Sequence, residues 1–298
     1  QVLVSFFGHS NYMASFIGPV VFLAAYFLES RRTPALIGFA AVTIVLIVVC
    51  LYWAGTRAAS LAGLVAAISL IRWRWPRFLR RKRFVIPIAL GLVVVLAAAA
   101  VYGQRWGRHE ETLVRRLTSH REIRNRIFYW LIGIEMIRDY PVLGIGYGRY
   151  DTLFWPYTEE FVQRPGHGIY SYVLRAMDGT NPGEAHNDLL EVACETGLAG
   201  TLAFLAIWIL AVNSVQQCLW RGESPDRRLA RCLRAALIFI FIDSLFGFPL
   251  QLPASGLLFW FVLGFAAQAH RRLGTVRISE PVIEENPAPA AMAEAASG

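Results

Sequence analysis

The sequence predicts an all-α, polytopic membrane protein: a bundle of about seven transmembrane helices in this fragment, with one long, mostly helical external loop. Hydrophobic residues make up 56% of the 298 residues and the mean hydropathy is +0.44, which excludes an ordinary soluble domain. The apolar residues also occur in blocks as long as a membrane-crossing helix. Basic residues are concentrated in alternate connections between those blocks, as in multi-pass proteins.

The apolar blocks are candidate spans because a helix needs about 20 residues to cross the hydrocarbon layer. They are residues 12–28, 35–54, 57–72, 84–103, 197–219, 234–249 and 254–270. The chain begins with Gln1 and enters an apolar block without a signal-peptide pattern. We therefore expect earlier membrane helices to precede this sequence.

Arginines, with Lys82, occupy every second connection. They follow the first, third, fifth and last blocks, at Arg31, Arg32, Arg72, Arg74, Arg77, Arg80, Arg81, Arg83, Arg221, Arg227, Arg228, Arg231, Arg234, Arg271 and Arg272. The positive-inside rule places these connections in the cytoplasm of a bacterium. The expected parts are N-terminal spans (1–103), a periplasmic loop (104–196), C-terminal spans (197–270) and a disordered cytoplasmic tail (271–298).

The periplasmic loop contains a predicted amphipathic helix over residues 119–138. Its apolar positions recur at helical spacing, at Ile123, Ile127, Trp130, Ile134 and Ile137. Arg126 precedes Trp130 by four residues, so its guanidinium can lie near the indole. For most arginines of this helix, including Arg121, Arg124 and Arg138, solvation on a helix resting at the membrane surface is the competing interpretation.

The next run, residues 139–148, carries three glycines at alternate positions, Gly144, Gly146 and Gly148. It follows a helix rather than a strand and has no phosphate-loop pattern, so it does not indicate a nucleotide site. Pro141 ends the preceding helix, and the glycines predict a tight, close-packed turn.

A second helix is predicted to begin with Asn181 as N-cap, Pro182 at the first position and Glu184 three residues after the cap. This would place His186 in the first turn, on one face with Leu189, Leu190, Ala193 and Gly197. The helix dipole there favours a neutral imidazole and a nearby anion, as a general base beside a phosphate requires. A structural histidine is the alternative.

Two further charged residues lie in apolar surroundings. Arg57 lies at the outer end of the second span, where the charge rule disfavours it; snorkelling to the interface is the alternative to a functional role. Asp243 lies within the sixth span, where an ionisable residue indicates either function or pairing with an arginine for packing. The four cysteines, Cys50, Cys194, Cys218 and Cys232, have no metal-binding spacing.

Several motifs together resemble the O-antigen ligase and polymerase superfamily. They are an R-x-x-x-W helix from Arg126 to Trp130, a D-x-P-hydrophobic-G-x-G turn from Asp139, and an H-N-x-x-L-x-x-x-x-E-x-G helix from His186 to Gly197. Upstream, residues 8–14 resemble the family's G-x-x-N-x-x-A segment, and Thr56-Arg57-Ala58 resembles its S-R-G segment. Ala58 departs from the glycine of that segment.

The resemblance implies an all-helical membrane glycosyltransferase that needs no metal or other cofactor. It implies a polyprenyl-diphosphate-linked glycan as donor and a glycan or lipid A–core sugar as acceptor. Arg57 and Arg126 match the family's diphosphate-binding arginines, His186 matches its histidine near the acceptor hydroxyl, and Asp243 loosely matches a later acidic residue. We also expect Arg124, Trp130 and Asn187, within or beside these motifs, to contact substrate.

The predicted function is inverting transfer of the glycan to a hydroxyl at the periplasmic face of the inner membrane, in surface polysaccharide or lipopolysaccharide biosynthesis. Membrane lipids are expected partners and nucleic acid is not. A protein O-oligosaccharyltransferase would share these motifs. A membrane transporter, for example of inorganic carbon, is the alternative from another class, but it should place charged residues near the membrane midplane. The sequence does not separate ligase from polymerase.

Overall fold

The computed structural model describes residues 9–29, 33–72, 120–165, 182–221 and 224–278. Within these ranges every regular element is an α-helix, which confirms the all-α prediction for them. The helices are α1 (Ser10–Glu29), α2 (Pro34–Ala54), α3 (Arg57–Arg72), α4 (His120–Asp139), α5 (Tyr150–Gln163), α6 (Asp188–Arg221), α7 (Ser224–Ser244) and α8 (Pro253–Ile278).

Three of the described helices are long and apolar enough to cross a membrane: Ser10–Leu28 in α1, α2, and α6. Shorter apolar helices cover Arg57–Leu70 and Pro253–Gln268. The described residues therefore support a multi-pass membrane protein, while the predicted number of about seven spans is not confirmed. The span predicted at 84–103, the basic residues at 31–32 and 74–83, and the tail after 278 lie outside the described residues.

The sixth predicted span, 234–249, differs from the structure at both ends. Helix α7 already begins at Ser224 and stops at Ser244, five residues before the predicted end. Gly247 and Pro249 explain the early stop, because a glycine costs conformational entropy in a helix and a proline cannot donate the helical hydrogen bond. The residues between α7 and α8, 245–252, instead form a connection, which we call the 245–252 loop.

Helix α7 packs between α1 and α3 through small residues that admit one large ring. A Cβ at Gly18 of α1 would lie 2.1 Å from the Phe239 ring, and one at Gly63 of α3 would lie 3.8 Å from it. Further along, the Arg234 guanidinium donates to the Ser69 carbonyl at 3.0 Å. The pairs 63–239 and 69–234 make α3 antiparallel to α7, so the start of α3 lies beside the end of α7.

The starts of α1 and α6 lie at this same end of the bundle. The Tyr12 ring of α1 contacts the Phe248 ring with centroids 5.4 Å apart. The Leu250 amide donates to the Asp188 carboxylate, at the start of α6, over 3.3 Å. We call this end, formed by the starts of α1, α3 and α6, the end of α7 and the 245–252 loop, the site end.

Two separate apolar cores hold the described residues together. One joins α1, α2, α3, α6, α7 and α8 within the bundle. The other lies under α4, α5 and the start of α6, where Phe128 contacts Phe154 and Phe161 with ring centroids 6.4 and 6.2 Å apart. This second core positions α4 against the site end.

The predicted apolar face of α4 is wrong. Ile127 and Ile134 are 47% and 38% exposed, whereas the buried stripe is Phe128, Ile132 and Met136, at intervals of four residues. The helix carries apolar residues on more than one face. The aromatic side chains of α5 pack against the face of α4 that carries Phe128. The sequence of α4 alone does not indicate which of its faces is buried.

Candidate active site

The turn 140–147 packs onto a break in α6. Gly197 has φ 61° and ψ −161°, which interrupts the helix where the fifth span was predicted to begin. The turn bonds the backbone groups near this break: the Ile145 amide donates to the Cys194 carbonyl and the Gly146 amide to the Glu195 carbonyl, both at 2.9 Å. A buried unpaired carbonyl is costly, so these bonds stabilise the broken helix.

Glycine is required at the point where the turn meets α6. A Cβ on Gly144 would lie 2.4 Å from the Glu195 carbonyl carbon, and one on Gly197 would lie 2.4 Å from Val142 backbone atoms. Both glycines also have positive φ, a backbone conformation that other residues adopt only with strain. The predicted tight, close-packed turn is confirmed. The turn motif that begins at Asp139 and the helix motif that ends at Gly197 pack directly against each other.

The predicted helix start at Pro182 is wrong, because α6 begins at Asp188. Gly183 and His186 have φ of 73° and 54°, which no helix accommodates. Asn187 is the observed cap: its side-chain oxygen accepts from the Leu190 amide at 3.0 Å. Asn181 lies outside the described residues. His186 therefore precedes the helix and does not share a face with Leu189 or the residues after it.

Helix α4 holds the His186 segment in place. The Trp130 indole nitrogen donates to the Ala185 carbonyl at 3.1 Å, and the Ala185 amide donates to the Glu191 carboxylate at 2.9 Å. Both backbone groups of the residue before His186 are therefore bonded to side chains. We infer that the left-handed conformation of His186 is fixed by its neighbours rather than by its own preference.

The His186 imidazole lies between two aromatic rings. It stacks on Tyr129 with centroids 5.9 Å apart and meets Phe248 edge-on at 4.9 Å. Burial, followed by the nearby positive charges of Arg126 and His9, lowers the pKa of His186 to about 4. The imidazole is thus neutral at physiological pH, chiefly through burial rather than through the helix dipole invoked from the sequence. Among the described residues, its Nδ1 atom has no hydrogen-bond partner.

Arg126 lies on α4, four residues before Trp130, and points its guanidinium at the 245–252 loop. The guanidinium donates to the Phe246 carbonyl. It is also close enough to His186 and to Asp243 to act electrostatically on both. The structure therefore brings Arg126, His186 and Asp243 together at the site end. Arg124, two residues earlier on α4, is half-buried on a different side of the helix.

The 245–252 loop belongs to the site, although no motif in the sequence predicts this. Its Phe246 carbonyl accepts from Arg126, its Phe248 ring covers His186, and its Leu250 amide bonds Asp188. Two of these contacts use backbone groups, which carry no residue-type signature. The Phe-Gly-Phe-Pro run at 246–249 between two apolar blocks was the available signal, and it indicates only a turn.

Asp243 and Arg57 complete the set of predicted residues at the site end. Asp243 is buried near Ser15 of α1, and its Oδ2 has no hydrogen-bond partner among the described residues. Arg57 is the half-buried first residue of α3, which the helix register places beside the end of α7. The described residues give no direct contact between Arg57 and Arg126 or His186.

Fold and site together define a multi-pass helical membrane protein that gathers arginines, a neutral histidine and a buried carboxylate at one end of its bundle. The family model described as O-antigen ligase matches residues 42–205, more than half of the sequence. The chain belongs to the O-antigen ligase family, which confirms the resemblance. The matched range includes Arg57, Arg126 and His186 but ends before Asp243. No curated protein matches the chain.

Membership of this family supports an enzyme of the ligase type with polysaccharide or lipid-linked substrates, located in a membrane.

Proposed function

We propose that this chain transfers a glycan from a polyprenyl diphosphate to a hydroxyl acceptor, with inversion, in the biosynthesis of a surface polysaccharide or lipopolysaccharide. The reaction takes place at the periplasmic face of the bacterial inner membrane, the side that the charge alternation assigns to the site end. The observation that carries this proposal is the placement of Arg126 and His186 against the same loop, with Phe246 bonding one and Phe248 covering the other.

The arginines suit the leaving group. As the glycosidic C–O bond breaks, negative charge gathers on the diphosphate, and planar guanidinium groups match phosphate oxygens in geometry and charge. Arg126 reaches the site from α4 and Arg57 from the start of α3. Because the Phe246 carbonyl fixes the Arg126 guanidinium before substrate binds, little reorganisation is required as the charge develops.

His186 suits the role of base for the acceptor hydroxyl. A base must be unprotonated, and the low pKa of His186, about 4, keeps it so before the donor binds. A bound diphosphate would bring negative charge close to the ring and raise this pKa, so donor binding strengthens the base. The Tyr129 and Phe248 rings screen the imidazole from water, which favours proton transfer from the acceptor.

The test is transfer by purified full-length protein from a polyprenyl-diphosphate glycan to lipid A–core. Arg126→Ala and His186→Ala should each abolish transfer while expression and membrane insertion are retained. Arg138→Ala is the matched control, because Arg138 lies on the same helix with an exposed side chain bonded to Glu135 and should leave transfer unchanged. Near-normal transfer by either site variant would remove the role proposed for that residue.

Acceptor identity separates the reactions that share this site. Deleting the full gene and examining surface polysaccharide distinguishes them: loss of long glycan from lipid A indicates a ligase, and loss of polymer length with single units retained indicates a polymerase. Loss of glycan from protein instead indicates a protein O-oligosaccharyltransferase. Transport is not favoured, because the site residues gather at one end of the bundle rather than near its middle.

A further inference from the structure

The turn 140–147 exposes large apolar side chains although its backbone is firmly held. Val142 and Leu143 are 62% and 76% exposed, and Tyr140 and Tyr147 are 54% and 80% exposed. Consecutive exposed apolar residues on a fixed turn are unusual on a surface that faces water, and such patches mark a surface that binds another apolar phase. We call Tyr140, Val142, Leu143 and Tyr147 the apolar turn.

The apolar turn lies beside the start of the membrane-crossing part of α6. The Leu198 amide donates to the Pro141 carbonyl at 2.9 Å, and the Ala199 amide to the Val142 carbonyl at 3.3 Å. From this contact α6 continues with exposed Leu198 and Leu202, and further along with exposed Ile209, Leu210 and Val212. The apolar turn is therefore continuous with the surface that α6 presents to lipid.

Helix length gives the level of the turn relative to the bilayer. From Leu198 to Leu219 the helix rises about 32 Å at 1.5 Å per residue, close to the roughly 30 Å hydrocarbon thickness. Leu198 then lies at the boundary between hydrocarbon and headgroups, and the turn bonded to it lies at the same level. Tyrosines are enriched at this level because their rings are apolar and their hydroxyls polar.

We propose that the apolar turn inserts into the phospholipid bilayer at the headgroup–hydrocarbon boundary, on the same side as the site end. It anchors the α4–α5 unit to the membrane surface through Gly144 and Gly197, which dock the turn on α6. Since α4 carries Arg126 and Trp130, the anchor fixes the height of the site above the lipid. This proposal requires that α6 span the membrane and does not rest on glycosyl transfer.

The test is spin-label accessibility in the full-length protein, reconstituted at one copy per nanodisc of phosphatidylethanolamine and phosphatidylglycerol. Labels are placed at Leu143→Cys and, as the matched control, at Glu159→Cys on the exposed side of α5. Cys50→Ser removes the half-buried native thiol, and the other three cysteines are buried. Collision rates are measured with oxygen, which concentrates in lipid, and with a water-soluble nickel chelate.

The label at Leu143 should collide with oxygen more than with nickel, and its nickel collision rate should be about tenfold below that at Glu159, because polar complexes are excluded from hydrocarbon. The control should show the reverse preference. High nickel accessibility at Leu143 would place the turn in water, and low accessibility to both reagents would place it under protein; either result overturns the proposal. Since one copy occupies each nanodisc, contact between copies does not enter. Transfer activity is measured separately, so failure here leaves the proposed function standing.

Discussion

Replacing Gly144 with alanine is expected to separate the turn 140–147 from α6, and Gly148→Ala supplies an unusually close control. The two glycines have nearly the same positive φ, 70° and 69°, so both variants place an alanine in the left-handed region at a cost of about 1–2 kcal/mol. They differ in surroundings. A Cβ on Gly144 meets the Glu195 carbonyl carbon at 2.4 Å, whereas one on Gly148 has no atom within 4 Å.

The additional cost at Gly144 follows from these contacts. Ordinary contact begins at 3.4 Å, so the turn must withdraw by about 1 Å from a backbone that cannot give way. Overpacking of this kind costs about 1–3 kcal/mol. The withdrawal also breaks the bonds from Ile145 and Gly146 to α6, at about 1 kcal/mol each. We expect Gly144→Ala to lower the free energy of unfolding by about 3–5 kcal/mol more than Gly148→Ala.

The measurement is unfolding of the purified full-length protein in mixed micelles by titration with sodium dodecyl sulfate, followed by tryptophan fluorescence. Both variants and the parent are compared at one detergent concentration. Equal losses in the free energy of unfolding for Gly144→Ala and Gly148→Ala would mean that the backbone conformation at residue 144, and not its close approach to α6, is what requires glycine there. That result would refute the packing argument for the turn.

Two further predictions concern His186 and the indole that holds its segment. Because burial lowers the pKa of His186 to about 4, we expect protonation to inactivate the proposed base only near that pH. The kcat/KM for the donor, which reports the enzyme before donor binds, should therefore stay level as the pH falls through about 6.5, where an ordinary histidine titrates. A pH profile that falls with a midpoint near the ordinary value would contradict this. Trp130→Phe removes the hydrogen-bond donor to the Ala185 carbonyl while retaining an aromatic ring. Because one hydrogen bond is lost, kcat/KM should fall up to about tenfold without loss of folded protein. An unchanged kcat/KM would show that this bond does not position His186.

The membrane helices were predictable from the sequence because long apolar blocks dictate them wherever they pack. Helices α1 and α2 match their predicted blocks within two residues at each end. The face of α4 was not predictable, since both of its apolar sides satisfy helical spacing and only the rings of α5 select one. Which face of a helix is buried therefore depends on the element that packs against it as well as on the sequence of the helix.

The start of α6 shows a different limit. Asn181, Pro182 and Glu184 match a helix start by residue type, but Asn187 caps the helix and Glu191 reaches back to Ala185. Several capping residues occur within a few positions, and tertiary contacts from Trp130 select among them. The motifs point to Arg126 and His186, and the structure brings these two residues together. The 245–252 loop could not be predicted in this way, because its backbone contacts do not depend on residue type.

The 245–252 loop has a consequence for how the protein matures in the membrane. Arg126 and His186 are synthesised before the loop, yet Phe246 and Phe248 contact them only after α7 has been made and inserted. Until then the guanidinium lacks the carbonyl that orients it, and the imidazole lacks the ring that covers it. If Arg126 and His186 have the roles proposed above, we expect chains that stop after α6 to be inert, because the order of translation would delay the reaction until the bundle is closed.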